Sequence, residues 1–171
     1  MRKLAILIIL VATAVVALPQ EPPRTAGAQS DAQKAFEKMK TLAGSTEGSI
    51  GGMSMQVTIR LTSAGSAIMH DATRSNMPGN HEITMMYLEG DRLLMTHYSN
   101  AGNRQRFEGK LSPDGKSVEF NLLDVAGSTQ RGFMKRIMFT TIDANKHVVE
   151  LTFIQPDGKP LEVRGEFQRT K

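Results

Sequence analysis

From Met53 to the end of the chain the hydrophobic pattern repeats every two residues, and this constrains the fold more than any other feature. Met53, Met55, Val57, Ile59 and Leu61 alternate with Ser54, Gln56, Thr58, Arg60 and Thr62. Successive side chains of a strand point to opposite faces, so such a run is a strand with one buried face. The rhythm returns over 66–73, 81–88, 92–98, 103–111, 117–125, 132–142, 148–154 and 161–168. Turn signals separate the runs, among them Glu89-Gly90-Asp91, Ser112-Pro113-Asp114-Gly115 and Gln155-Pro156-Asp157-Gly158. Proline presets φ in such turns and glycine takes positive φ. Nine short strands with no helix between them predict an all-β domain. Short connections favour a meander, and a meander this long has to curl and close to avoid long exposed edges. The expectation is an antiparallel up-and-down barrel of about nine strands; a two-sheet sandwich is the alternative.

One helix precedes the strands. Ser30 and Gln33 have capping-box spacing, and Asp31 lies in the first turn, where the helix dipole favours negative charge. Phe36, Met39, Leu42 and Ala43 form one apolar stripe, Lys38 and Lys40 sit near the end, and Gly44 suits a left-handed terminating position. The helix is expected over 30–43, plugging or flanking one end of the barrel. GSTEGSIGG (44–52) has little side chain to pack and reads as a glycine-rich lead-in that lets the backbone bend sharply. Residues 29–52 thus form a helix and lead-in, and 53–171 the barrel.

The start of the chain has a different purpose. Met1-Arg2-Lys3 is a basic n-region, and residues 4–18 are an unbroken run of apolar or small residues. A membrane span takes about 20 residues, so this run suits a signal peptide better. Ala26-Gly27-Ala28 offers an A-x-A site with cleavage before Gln29; a cut after Ala17 and an uncleaved anchor are alternatives. The expectation is a signal peptide over 1–28 and an exported protein, periplasmic or extracellular, with no stable membrane span after processing. The chain carries +4; Arg2, Lys3, Arg24 and Glu21 fall in the removed part, which leaves +2. So small and mixed a charge does not suggest a nucleic-acid partner. There is no cysteine, which excludes disulfides, thiolate metal sites, cysteine nucleophiles and a lipoprotein anchor.

Three stretches resemble a family of bacterial exported, lipocalin-like (calycin-type) small barrels. They are Phe36 to Gly52; His81-Glu82-Ile83-Thr84-Met85-Met86-Tyr87 followed by Gly90-Asp91-Arg92-Leu93; and Thr96-His97-Tyr98 with Gly102-Asn103 and Arg106. The resemblance implies a lipocalin-like barrel and, by analogy, ligand binding. Two positions depart from the family pattern. Thr46 stands where a barrel-plugging tryptophan is expected, and Ser99 where the third motif has cysteine.

The candidate binding residues concentrate between His81 and Phe107. His97 shares a strand face with Leu93 and Met95 and is opposed to Tyr98. A histidine on an apolar face suggests a barrel interior. The expected ligand-binding set is His97, Met95, Met85, Met55 and Tyr87, with His81, Asn103 and Arg106 drawn near by neighbour pairing. The expected ligand is a small apolar or amphipathic molecule, since methionines suit adaptable apolar surfaces. The alternatives are a filled structural barrel, a hydrogen-bond network at the rim, haem on His97 as in nitrobindin-type barrels, Cu(I) on methionine and histidine, or an enzyme using His97 with Glu82 or Tyr98. Met85 and Met86 cannot face the same way, so the methionines are not one site. No cofactor, metal or catalytic set is expected: the chain has no Gly-x-Ser-x-Gly, no His-Glu-x-x-His and no phosphate-binding glycine loop. Glu108, Glu119, Asp124 and Glu166, like Arg104 and Lys110, alternate with apolar residues and read as a solvated outer face.

Overall fold

The computed structural model describes residues 28–170. The apolar leader on which the export expectation rests lies outside the described residues. Helix α1 (Asp31–Lys40) begins with a complete capping box. Gln33 N–H donates to Ser30 Oγ at 3.2 Å and Ser30 N–H to Gln33 Oε1 at 2.9 Å. Two N–H groups that the helix cannot pair internally are thereby satisfied. The helix ends earlier than the apolar stripe suggests, because Thr41, Leu42 and Ala43 continue as i→i−3 turns on Lys38, Met39 and Lys40.

Ten strands follow: β1 (Gly44–Ile50), β2 (Met53–Thr62), β3 (Ala67–Arg74), β4 (Met77–Glu89), β5 (Arg92–Tyr98), β6 (Asn103–Leu111), β7 (Ser117–Gly127), β8 (Phe133–Thr141), β9 (Lys146–Ile154) and β10 (Pro160–Arg169). Each pairs antiparallel with the next, and β1 also pairs with β10, which closes an up-and-down barrel. The strand missing from the sequence count of nine is β1, in the stretch read as a lead-in. Its inward positions are Thr46, Gly48 and Ile50, so the alternation is present but two of its three core side chains are small. β4 also starts earlier than expected, at Met77. A register shift at Thr73/Arg74 brings Met77 opposite Arg74, and Thr73 Oγ1 donates to the Met77 and Asn80 carbonyls at 3.1 and 3.3 Å.

The helix plugs one end. Ala35, Phe36, Met39 and Leu42 are buried in one apolar cluster with Leu93, Phe107, Val118 and Phe120, where α1 crosses β4–β7. Burying a side chain of Phe36's size stabilises by about 1.5–3 kcal/mol. Arg169 ties the helix exit to the barrel: its guanidinium donates to Ala43 O at 2.6 Å, Thr41 O at 3.5 Å and Ala144 O at 3.3 Å. Thr46, at the position of the expected tryptophan, is buried near this seam with its hydroxyl unpartnered among the described residues. On β9 and β10, His147 stacks on Phe167 with ring centroids 5.4 Å apart. The outer wall carries cross-strand ion pairs, including Arg92–Glu108 and Arg136–Glu119, as the charge alternation suggested.

Closure depends on two glycines at the β1–β10 seam. A Cβ on Gly165 would stand 2.5 Å from Ser49 O and 2.7 Å from Ile50 Cβ, and one on Gly48 would overlap the Glu166 carbonyl and lie 2.9 Å from the Phe167 ring. Gly48→Val is therefore expected to destabilise the barrel by about 1–3 kcal/mol, the usual cost of overpacking. Urea unfolding of the purified variant checks this; an unchanged midpoint would show that the seam has slack.

Candidate ligand-binding site

The end of the barrel opposite the helix carries the turns β1–β2, β3–β4, β5–β6, β7–β8 and β9–β10. Below them lies a cavity of about 380 Å³. Most of its wall is apolar: Met53, Met55 and Val57 of β2, Ile137 and Phe139 of β8, Val149, Leu151 and Phe153 of β9, Val163 and Phe167 of β10. Arg74, Glu82 and Ser99 stand at the mouth, close to the turns.

One arc of the wall is polar, and the strand register builds it. His70 on β3 lies opposite Thr84 on β4, Thr84 opposite His97 on β5, and His97 opposite Gln105 on β6. All four line the cavity at one level. Directly opposite residues share a face, and adjacent strands run about 4.8 Å apart, so the four side chains stand side by side. The next inward row towards the helix is Ile68, Met86, Met95 and Phe107, which is apolar and buried.

The arc is partly satisfied by the protein itself. Thr84 Oγ1 and His97 Nδ1 are 2.9 Å apart. Gln105 is bonded at both ends: Oε1 accepts from Met134 N–H at 3.0 Å, and Nε2 donates to Asn103 Oδ1. Asn103 Nδ2 donates in turn to the Ser128 and Gly132 carbonyls at 2.8 and 3.1 Å, fixing both ends of the β7–β8 loop. His70 differs. Its ring meets Phe139 edge-on at 5.9 Å, and its buried Nδ1 has no partner among the described residues. His70 is half-buried and lines the cavity.

Burial sets the charge of these rings. His70 is pushed down to about 4, chiefly by desolvation, with His97 and His147 adding repulsion. His97 is shifted down by burial, with Glu82 acting in the opposite direction. His147 is pushed down to about 4 by burial and by Arg169. The lumen therefore faces its contents with neutral imidazoles at neutral pH.

Of the residues grouped by sequence, Met55, Met95 and His97 line the cavity. Asn103 sits behind it, holding Gln105. Met85 and Tyr87 lie on the opposite face of β4 from the inward Thr84 and Met86, on the outer wall. His81 is exposed and its Nδ1 is 2.6 Å from Asp71 Oδ1, which raises its pKa. Arg106 is exposed and paired with Asp124, Nε to Oδ2 2.9 Å. The structure thus does not gather His81, His97, Asn103 and Arg106 into one cluster: strand parity sends His81 and Arg106 outward. His70, Thr84 and Gln105 were missed. The tight turn at Gly90-Asp91 sets Glu89 opposite Arg92, and counting back from it pairs Thr84 with His97. His70 could not be reached by counting, because the β3–β4 register shifts at a bulge. Among the described residues no three His, Asp or Glu side chains converge as a metal-ligand set.

No known family profile matches the chain, and no curated protein is similar to it. Solved structures are. Rv2717c from M. tuberculosis superposes with a TM-score of 0.62 at 11% identity, over 80% of this chain and 98% of that one. A protein of unknown function of the DUF3598 family from Nostoc punctiforme superposes with a TM-score of 0.56 at 12% identity, over 77% of this chain and 49% of that one. This chain thus spans about half the length of the Nostoc protein and nearly all of the mycobacterial one. At such identities the likeness is one of fold, the closed antiparallel barrel.

Proposed function

We propose that this protein is an exported, lipocalin-like barrel that binds a small apolar or amphipathic molecule in its lumen. The observation that supports the reading is the cavity. Its volume of about 380 Å³ falls within the range of roughly 300–1,000 Å³ typical of small-molecule sites. A wall of methionine, aliphatic and phenylalanine side chains gains free energy by covering apolar ligand surface, and the few polar groups orient what enters. A filled structural barrel would leave much less room. Export rests on the leader at 1–28; among the described residues no helix is long and apolar enough to cross a membrane.

Protein recovered from the periplasm of an expressing bacterium, with Gln29 as its first residue, is the material for the test. The probe is N-phenyl-1-naphthylamine, whose fluorescence rises in apolar surroundings. Saturable one-to-one binding at micromolar concentration is expected. Ala72→Trp, which places a large ring in the lumen from a small lining residue, should weaken binding at least tenfold while leaving the far-ultraviolet circular dichroism unchanged. Absence of binding, or an Ala72→Trp variant that binds as the parent does, would contradict the lumen as the site.

The buried histidines add a pH signature. His70 has an ordinary value of 6.5 in the unfolded chain and about 4 in the fold, so between these values the unfolded chain binds more protons. Stability therefore rises with pH across that window: the full amount is present above 6.5 and is lost as pH falls towards 4. A shift of this size corresponds to roughly 3 kcal/mol at most. His147 acts in the same direction, whereas the exposed His81, raised by Asp71, contributes in the acid range and fades as pH rises. The urea midpoint is expected to climb from about pH 5 to 7, above the range in which carboxylates titrate, and to climb less in His70→Phe. A flat profile in the parent protein would contradict buried neutral histidines.

A further inference from the structure

The polar arc selects the chemistry of what the lumen holds. We infer that the ligand places an uncharged hydrogen-bonding group, a hydroxyl or a carbonyl, against the His70–Thr84–His97 arc, with its apolar body against β8, β9 and β10. This rests on the lumen being the binding site.

The inference follows from which hydrogen-bonding capacity is still free. Gln105 uses its carbonyl on Met134 N–H and its amide on Asn103, and Thr84 uses its hydroxyl on His97 Nδ1. Each of these contacts occupies one bond of its group, and the second nitrogen of His97 has no partner among the described residues. His70 Nδ1 is buried without a partner among the described residues. An orphaned buried N–H is rarer than an under-used acceptor, so the lone pair sits on Nδ1 and the proton on Nε2. Nε2, at the far edge of the ring, is the nitrogen that can face the lumen. It then needs an acceptor, and the apolar wall across the cavity supplies none: Ile137, Val149, Leu151, Val163 and Phe167 have only hydrocarbon side chains. The ring of Phe139 holds the imidazole edge-on and limits its rotation.

The same geometry argues against a charged group at this depth. The lumen's charged side chains, Arg74 and Glu82, stand at the mouth, and Glu82 accepts there from Asn100 N–H at 3.4 Å. An ion at the level of the arc would be desolvated without a countercharge, at a cost a neutral hydroxyl or carbonyl avoids. Both arc histidines are held below their ordinary pKa by burial, so neither supplies a positive charge at neutral pH. A neutral group leaves no charge uncompensated and can accept from His70 Nε2–H.

Three probes with one aromatic body separate the possibilities: naphthalene, 1-naphthol and 1-naphthoate, titrated at pH 7 by calorimetry or by displacement of N-phenyl-1-naphthylamine. 1-Naphthol should bind about threefold to tenfold tighter than naphthalene, the net value of one neutral hydrogen bond. It should bind more than tenfold tighter than 1-naphthoate. His70→Phe should cut the preference for 1-naphthol over naphthalene at least twofold, and His70→Gln, which keeps an amide N–H, should restore part of it. If none of the three binds, the lumen reading fails and this inference with it. If naphthalene binds as tightly as 1-naphthol, or 1-naphthoate as tightly as either, the lumen reading stands and the neutral polar contact is wrong. A full 1-naphthol preference in His70→Phe would also overturn the assignment. Should His70→Phe fail to fold, the ranking in the parent protein together with His70→Gln decides.

Discussion

Everything in this molecule depends on the pairing of β1 with β10. Without that seam the sheet has two free edges and no inside. With it, every inward side chain of ten strands faces a common axis. The seam is made where large residues are missing: Gly48 against Phe167 and Gly165 against Ile50 let the two backbones approach, and any Cβ would push them apart. Arg169 then fastens the last strand to the helix exit through the Thr41 and Ala43 carbonyls and to the β8–β9 turn through the Ala144 carbonyl, so the same strand that closes the barrel also holds its plug.

Once closed, the barrel divides along its axis. At the helix end the rows of inward residues are large and apolar, and Phe36, Met39, Phe107 and Phe120 fill the space. One row further from the helix the fill changes on β3–β6 to His70, Thr84, His97 and Gln105, and the lumen opens. A polar row inside a barrel is unfavourable unless its members are bonded, and here most are. Gln105 and Asn103 convert that requirement into rigidity by pinning the β7–β8 loop and the start of β8. The remaining capacity lies on His70 and on the second nitrogen of His97, both of which line the cavity, so the stability of the row and its affinity for a ligand are two aspects of one balance. A pocket wholly lined with leucine would be more stable when empty and would discriminate less between contents.

Much of the fold was legible in the two-residue period. The alternation of β2 and β6 needed no tertiary information, because each of these strands has one buried and one wet face, whereas β8 changes parity at the Met134/Arg136 shift and β9 buries both Val148 and Val149. β1 was not legible because the barrel needs smallness at the seam, and a strand whose inward residues are Thr46, Gly48 and Ile50 looks like a linker. The candidate site was legible only in part. Met55 falls on inward parity within a clearly alternating strand, and Met95 and His97 share the inward parity of β5. Met85, Tyr87, His81 and Arg106 were grouped with them by closeness in sequence, yet within a strand a shift of one residue changes inside to outside. His70 was hidden by a bulge, since register across β3 and β4 is set by the Thr73/Arg74 irregularity and not by turn length.

The most direct measurement is the titration of the four imidazoles by nitrogen-15 nuclear magnetic resonance, with assignment of each ring. A closed barrel with the polar arc inside predicts that His70 and His147 stay neutral down to about pH 4, that His97 titrates below the ordinary histidine range, and that His81 alone titrates above it. Four histidines titrating together near 6.5 would place the arc in water and contradict the account.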